Sequence, residues 1–212
     1  MQSQTAVATA TTQSPATGPH DGATGGRVRV WDPLVRVFHW SLAVGFATAF
    51  IVEDDILDVH VWAGYLVLIL IAVRLVWGLI GTRHARFTDF VCGPRQVLDY
   101  FAGAVRGRAP HYLGHNPAGG AMVVALLVAV AATGLTGMAL YGAEELSGPL
   151  APLMRDLPGA WGHWLEEAHE VLANLTLGLI VLHIGGVLFS SLAHRENLVA
   201  AMFTGYKRSD KP

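Results

Sequence analysis

Residues 169–183 read HEVLANLTLGLIVLH, an almost uninterrupted apolar run with a histidine at each end. At about 100° per residue, fourteen residues make nearly four helical turns, so His169 and His183 would point to one side of a helix. At a rise of about 1.5 Å per residue they would lie roughly 21 Å apart along its axis, which is most of the thickness of a bilayer core. The stretch predicts a membrane-spanning helix with one histidine near each face of the membrane.

The composition places the rest of the chain in a membrane as well. Of the 212 residues, 52% are hydrophobic and only 14% are charged, whereas about a quarter of the residues of a soluble domain are charged. We expect an all-α, integral membrane four-helix bundle, because four stretches have about the 20 apolar residues that a membrane helix needs. These stretches are Leu34–Val52, Val59–Ile80, Gly119–Tyr141 and Leu165–Leu192.

The charges between the apolar stretches predict the orientation of the helices. Lys and Arg gather before the first stretch, between the second and third, and after the fourth. The other two connections are acidic, with Arg155 as their one basic residue. Since basic loops stay in the cytoplasm, both termini and the middle loop are predicted to be cytoplasmic. We expect a lipid membrane, and no nucleic acid, among the partners of the chain.

The segments outside the apolar stretches are mostly polar. Residues 1–26 have no apolar run and no Lys or Arg, so they predict a disordered cytoplasmic tail rather than a signal peptide. We assign the four-helix transmembrane domain to residues 27–207 and a short cytoplasmic tail to 208–212. The loop from 142 to 163 is the longest periplasmic feature and the expected docking surface for a partner.

Helix starts are well marked at two of the spans. Asp32 and Asn116 each stand before a proline, the pattern of a capping side chain followed by proline at the first helical position. Gly93-Pro94 opens a short segment that is expected to form an amphipathic helix at the cytoplasmic surface. A similar piece runs from Glu196 to Tyr206.

The predicted topology sorts the histidines by depth. His39 would lie near the cytoplasmic start of the first span and His60 at the periplasmic start of the second. On the last span, His169 would be near the periplasmic side and His183 deep in the cytoplasmic half. Matching depth with depth predicts two pairs, His39 with His183 and His60 with His169.

The residue types at these depths favour one kind of cofactor. Zinc needs three or four ligands, and no third ligand stands at either depth. Copper has no Cys or Met placed to complete a site. The single Cys92 excludes a thiolate zinc site or an iron–sulfur cluster built from this chain alone. Haem needs only two axial ligands, so the pattern predicts two bis-histidine haems that share the last span.

Other polar residues in or near the spans are candidates for cofactor contacts. Arg36 lies three residues before His39, and Arg74 lies at about the depth of the inner pair. Each would either neutralise a haem propionate or extend to the lipid headgroups. His115 and Arg74 are the candidates for a quinone contact on the cytoplasmic side. His163 is the main rival of His169, and the histidines at 20, 84, 111, 115 and 194 are interpreted as surface residues, with His115 the open case.

These residues lie in motifs that resemble those of the bacterial cytochrome b561 family, which includes the b-type subunits of nickel–iron hydrogenases. The resemblance covers about Val28 to Lys207. Its signatures are Val35-Arg36-Val37-Phe38-His39-Trp40, His60 with Gly64, Arg74 with Trp77-Gly78, Gly114-His115-Asn116-Pro117 with Gly119-Gly120, and Glu167 through His183.

The resemblance implies a four-helix membrane protein that carries two b haems and exchanges electrons between quinones and a redox partner. Carried over by position, the axial ligands would be His39, His60, His169 and His183. The long periplasmic loop and the amino-terminal tail lie outside the shared pattern. The resemblance therefore does not identify the partner.

Three functions follow from this sequence, and the first is favoured. It is electron transfer in the bacterial cytoplasmic (inner) membrane between quinone and a c-type cytochrome or a hydrogenase-like module. The second is superoxide oxidation coupled to quinone reduction, against which the acidic periplasmic side argues, because it would repel an anion. The third is a non-redox membrane anchor or a metal or proton transporter. The sequence leaves open whether the chain forms a homodimer.

Overall fold

The computed structural model of the chain describes residues 27–52, 55–108, 110 and 112–208, and within them the chain is mostly helical. Two three-residue strands pair in antiparallel register at one end of the molecule. The elements in chain order are β1 (Arg27–Arg29), α1 (Pro33–Ile51), α2 (Leu57–Ile80), α3 (Phe87–Phe90), α4 (Pro94–Val105), α5 (Pro117–Glu144), α6 (Ala151–Met154), α7 (Ala160–Ala193), α8 (Leu198–Thr204) and β2 (Tyr206–Arg208).

Four of these helices, α1, α2, α5 and α7, are long and apolar enough to cross a membrane. They confirm the four predicted spans. The last span differs in its start, because α7 begins at Ala160 rather than Leu165. The turn at Pro158-Gly159 ends the preceding loop, and no proline follows it within α7, so the helix continues through the Trp161–Trp164 segment.

The helices pack in an open order rather than as a closed square. Among the four long helices, the close contacts join α1 to α2, α2 to α5, and α5 to α7. Within the described residues, neither α1 nor α2 packs closely against α7. Space therefore remains between α7 and the α1–α2 pair. A buried hydrophobic cluster lies instead between α1, α2 and α5. It consists of Phe38, Val67, Ile71, Leu127 and Val130.

The predicted caps are confirmed, and the segment predicted to be amphipathic is helical. The side chain of Asp32 accepts a hydrogen bond from the Val35 amide at the start of α1, and Asn116 accepts one from Gly119 at the start of α5. The amphipathic segment after Gly93 forms α4. The expected tail at 1–26 lies outside the described residues, as does the expected tail at 208–212 apart from the backbone of Arg208.

The end of the bundle that holds the first and last described residues is stabilised by polar and aromatic contacts. Strand β1 pairs with β2, so the entry to α1 and the exit from α8 are joined. Lys207 is buried, with its Nζ 3.7 Å from the Glu196 carboxylate and 5.9 Å from the ring centroid of Trp31. Burial lowers the pKa of Lys207, while the Glu196 carboxylate opposes that shift. We call this end the terminal end, and the end with α6 the loop end.

Asp32 is the polar centre of the terminal end. Its carboxylate is 7% exposed and, besides capping α1, accepts hydrogen bonds from Trp77 Nε1 at 3.1 Å and Thr82 Oγ1 at 2.5 Å. Burial by itself would raise the pKa of Asp32, but the hydrogen bonds from Thr82, Val35 and Trp77 outweigh burial and hold the pKa below its usual value. One carboxylate thus joins the start of α1 to the end of α2.

We expect Asp32→Ala to lower the free energy of unfolding by about 2–4 kcal/mol. The change removes a helix cap, worth about 1 kcal/mol, and the partly buried hydrogen bonds that Trp77 and Thr82 donate, worth about 0.5–1.5 kcal/mol each. Thermal unfolding in detergent, followed by circular dichroism, measures the loss. Asp32→Asn keeps a capping oxygen and should lose less, so equal losses for the two variants would contradict this role.

The same carboxylate should add an acid-sensitive part to the stability. Because its pKa is lower in the folded state, its contribution is present above the unfolded value of about 3.9 and disappears as the pH falls through the folded value. The difference in Tm between the wild type and Asp32→Asn should therefore narrow between about pH 5 and pH 2. A difference that stays constant over this range would show that Asp32 does not titrate in this way.

Candidate functional site

Four histidine side chains meet in two pairs, one above the other in the bundle. The ring centroids of His39 and His183 are 6.4 Å apart, with 54° between the ring planes. Those of His60 and His169 are 5.9 Å apart, with 83° between the planes. We call them the terminal pair and the loop pair, after the ends of the bundle at which they lie. These are the partners that matching by depth predicts.

Helix α7 contributes one histidine to each pair, while α1 and α2 contribute the others. His39 is on the amino-terminal half of α1, and His60 is on the first turn of α2. The pairs thus bridge the space between α7 and the α1–α2 pair. Each pair brings together helices that do not pack closely on one another.

Both histidines of the loop pair are held by backbone carbonyls. The Nδ1 atom of His60 lies 2.9 Å from the carbonyl oxygen of Ala49, and Nδ1 of His169 lies 3.0 Å from that of Thr133. A carbonyl only accepts, so each Nδ1 carries the proton and donates it. In both rings Nε2 is then the nitrogen with the free lone pair, which is the form that binds a metal.

The terminal pair lacks these contacts. Among the described residues, neither ring nitrogen of His39 makes a hydrogen bond, and its Nδ1 is buried. His183 likewise has no hydrogen-bond partner within the described chain. The orientation of these two rings is set by packing, for example by the edge of the Trp40 ring 5.1 Å from His39 between centroids.

The geometry of both pairs suits a metal with two axial imidazoles. A metal–imidazole bond is about 2.0–2.1 Å long, so two rings on opposite sides of one metal have centroids about 6 Å apart. In the described part of the chain, no group of three or more His, Cys, Asp or Glu side chains could hold a metal ion by itself. A metal between two imidazoles would therefore need other ligands from a planar group, and this donor set fits haem.

Glycines leave open space along the helices that carry the histidines. A methyl group added at any of several glycines would meet no neighbouring atom within 4 Å. Gly137 on α5 is the opposite case, because the His169 ring lies directly against it. At about 100° per residue, Gly64 and Gly186 lie within about 60° of His60 and His183 around their helices, so they leave room beside those rings. At Gly137 the absence of a side chain instead allows close approach of His169. The open glycines are Gly64, Gly178, Gly185 and Gly186.

Two arginines lie in or beside the spans. Arg74 on α2 is 3% exposed, with its guanidinium carbon 5.0 Å from the ring centroid of Phe87. Its Nη1 is buried and has no hydrogen-bond partner among the described residues. Arg36 on α1 donates from Nη1 to the carbonyl oxygen of Phe203 at 2.7 Å, and its Nε is buried without a partner in the described chain. A buried guanidinium with an unused donor is suited to bind an anion.

His115 is partly buried rather than fully on the surface. Its ring lies between those of Trp31 and Phe90, with centroids 4.7 and 4.6 Å away. Burial, with a smaller effect of the Arg74 and Lys207 cations, lowers the pKa of His115 to about 3, so the ring is neutral at physiological pH. It borders a cavity of about 610 Å³ beside α4, whose walls also include Cys92, Gln96, Asp99, Tyr100 and Tyr112.

The other histidines are not grouped with the two pairs. His163 is exposed and lies 3.4 Å from the Glu167 carboxylate on the surface of α7, so it does not compete with His169. His84 lies 3.0 Å from the Asp89 carboxylate in the loop after α2, where it is only about one-fifth exposed. His20 and His111 lie outside the described residues.

Sequence reasoning missed the contacts that hold the loop pair. Ala49 and Thr133 act through their backbone oxygens. Because every residue has such an oxygen, the residue type at these positions does not indicate the contact. Thr176 gave a weak signal, because it lies seven residues from both His169 and His183 on an otherwise apolar helix. It is fully buried, and its hydroxyl lies 3.1 Å from that of Thr133 on α5.

Comparison with known proteins identifies the family of the chain. A family model described as prokaryotic cytochrome b561 matches residues 30–205, which include both histidine pairs and both arginines. This match confirms the resemblance drawn from the sequence. No curated protein and no solved structure matches the chain.

We expect Thr176→Val to lower the free energy of unfolding by about 0.6 kcal/mol, and by no more than ~1.7 kcal/mol, the range for hydrogen bonds between membrane helices. Valine keeps the shape but loses the contact with Thr133. A double-mutant cycle with Thr133→Val, measured by unfolding in detergent, isolates the pair. Additive effects of the two substitutions would show that the hydroxyls are not coupled.

Proposed function

Because this chain belongs to the prokaryotic cytochrome b561 family, and so is a b-type cytochrome that transfers electrons in a membrane, we propose that it carries two b haems. The observation behind this proposal is the two stacked histidine pairs at ring separations of 6.4 and 5.9 Å. His39 and His183 would hold one haem, and His60 and His169 the other. When bound, haem supplies a reversible one-electron iron couple.

The histidines fix what chemistry is available at each site. With two histidines holding each haem, no position would be left for oxygen or another substrate, as suits electron transfer. The Nδ1–H groups of His60 and His169 orient their rings and direct Nε2 into the pair. Electrons would therefore pass along α7, which contributes a ligand to each site.

The two arginines would neutralise the propionates. Arg74 has a buried donor with no partner in the described chain, and desolvating a cation is costly unless an anion lies beside it. Arg36 already donates to the Phe203 carbonyl and has a further buried nitrogen available. Both lie toward the terminal end of their helices, so they would serve the haem of the terminal pair.

The charge distribution supports an orientation in the bacterial inner membrane. The terminal end carries the basic loops and would face the cytoplasm, while the acidic loop end would face the periplasm. A c-type cytochrome or a hydrogenase-like module would dock at the loop end. A quinone would be the other redox partner, and the cavity beside His115 is the proposed place of contact, since its aromatic walls and neutral imidazole suit an uncharged ring.

Haem content per chain tests this proposal. We expect purified wild-type protein to bind two b haems, and His183→Ala and His60→Ala to bind one each, because each change removes one ligand of one pair. The visible spectrum and the haem-to-protein ratio in detergent give the numbers. His163→Ala is the matched control and should retain two haems, because its side chain is exposed and outside both pairs.

Three outcomes would contradict the assignment. Two haems retained in His183→Ala would show that this histidine is not a ligand. One haem in the wild type would mean that only one pair binds. No haem in a wild-type preparation that keeps its helical circular dichroism would favour a membrane anchor or transporter.

A further inference from the structure

We infer that the two histidine pairs give their haems different reduction potentials, with the haem of the loop pair the harder to reduce, and that Gly137 is a positioning residue for this difference. The inference rests on the proposed binding of two haems. It concerns what the protein does to each site rather than whether the sites exist.

The first observation is an asymmetry in hydrogen bonding. Both histidines of the loop pair donate Nδ1–H to a backbone carbonyl, His60 to Ala49 and His169 to Thr133. In the described chain neither His39 nor His183 has an acceptor for its ring N–H. The two sites therefore have the same type of ligand but differ in the hydrogen bonds that the ligand histidines make.

This difference has a predictable electronic effect. Hydrogen bonding of the outer N–H to an acceptor makes an imidazole a stronger electron donor to its metal. A stronger donor stabilises the oxidised iron more than the reduced iron, and reduction only adds one electron without forming or breaking a bond. The site with two such hydrogen bonds therefore has the lower potential.

The second observation explains how His169 reaches a helix backbone. Thr133 is in the interior of α5, and Gly137 is one helical turn further on. A methyl group at Gly137 would lie 2.7 Å from Cε1 and 3.1 Å from Nδ1 of His169, closer than carbon atoms approach. The missing side chain thus lets the ring lie on the surface of α5, within 3.0 Å of the Thr133 oxygen.

Charges near the two pairs act in the same direction. Asp58 and Glu170 flank the histidines of the loop pair in the chain, and negative charge opposes the arrival of an electron. Arg36 precedes His39, and Arg74 lies buried toward the terminal end, where positive charge favours reduction. Hydrogen bonding and charge therefore both make the reduction potential lower at the loop pair than at the terminal pair.

Potentiometric titration of the haem absorbance tests the inference. In Gly137→Ala the methyl group should displace the His169 ring and lengthen its hydrogen bond, so the lower of the two midpoint potentials should rise while the higher one stays fixed. Gly159→Ala is the matched control. It lies before α7 with open space around it and φ of −55°, and it should leave both potentials unchanged. A rise confined to the higher potential, or no change, would overturn the role of Gly137.

Single-haem variants keep the test independent of how Gly137→Ala folds. His183→Ala should retain the haem of the loop pair, and His60→Ala that of the terminal pair. We expect the midpoint potential of His183→Ala to be the lower of the two. Equal potentials, or the reverse order, would overturn the inference while leaving haem binding intact, whereas loss of all haem from the wild type would overturn the proposed function instead.

Discussion

The contact between Thr133 on α5 and Thr176 on α7 fixes the position of the α7 histidines along the bundle axis. Because α7 packs closely on α5 but not on α1 or α2, its position along the bundle axis depends on this one face. Thr176 lies midway between His169 and His183, and it is fully buried against Thr133. Apolar side chains alone would tolerate a slide of one helix along the other, since lipid is as apolar as they are. A buried pair of hydroxyls makes such a slide less favourable. The backbone oxygen of Thr133 also accepts the hydrogen bond of His169.

The other ligands are positioned by the terminal end. Asp32 joins the start of α1 to the end of α2, so His39 and Arg74 keep a fixed relation although they lie on different helices. The β1–β2 pair then joins the chain entering α1 to the chain leaving α8, which in turn follows α7. Trp40 stacks on Phe203 with ring centroids 4.2 Å apart, adding an aromatic contact between α1 and α8. The terminal pair therefore needs no hydrogen bond of its own to hold its two helices at a set distance.

Much of this arrangement follows from the sequence, because the membrane restricts the possible structures. Apolar stretches of this length cross the membrane as helices, because a helix pairs all of its backbone groups. The basic loops then predict the orientation of each helix. Matching histidines by depth then leaves one partner for each. What the sequence does not predict depends on contacts between distant segments. The sequence predicts a surface position for His115, whereas the fold places the rings of Trp31 and Phe90 beside it. The role of Gly137 depends on which ring lies against it. The strands β1 and β2 are too short to show the alternation of apolar and polar residues that predicts a strand.

The asymmetry between the histidine pairs follows from the polarity of α1 itself. At its amino-terminal end a helix has unpaired N–H groups, and at its carboxyl-terminal end it has unpaired carbonyls. His39 lies near the first end, where the free backbone groups are donors and cannot accept from an imidazole. His60 lies beside the last turn of α1, where the Ala49 oxygen accepts its Nδ1–H. Two sites with identical ligands thus receive different surroundings from opposite ends of the same helix. On α7 the corresponding difference comes from α5, where Gly137 exposes a carbonyl to His169.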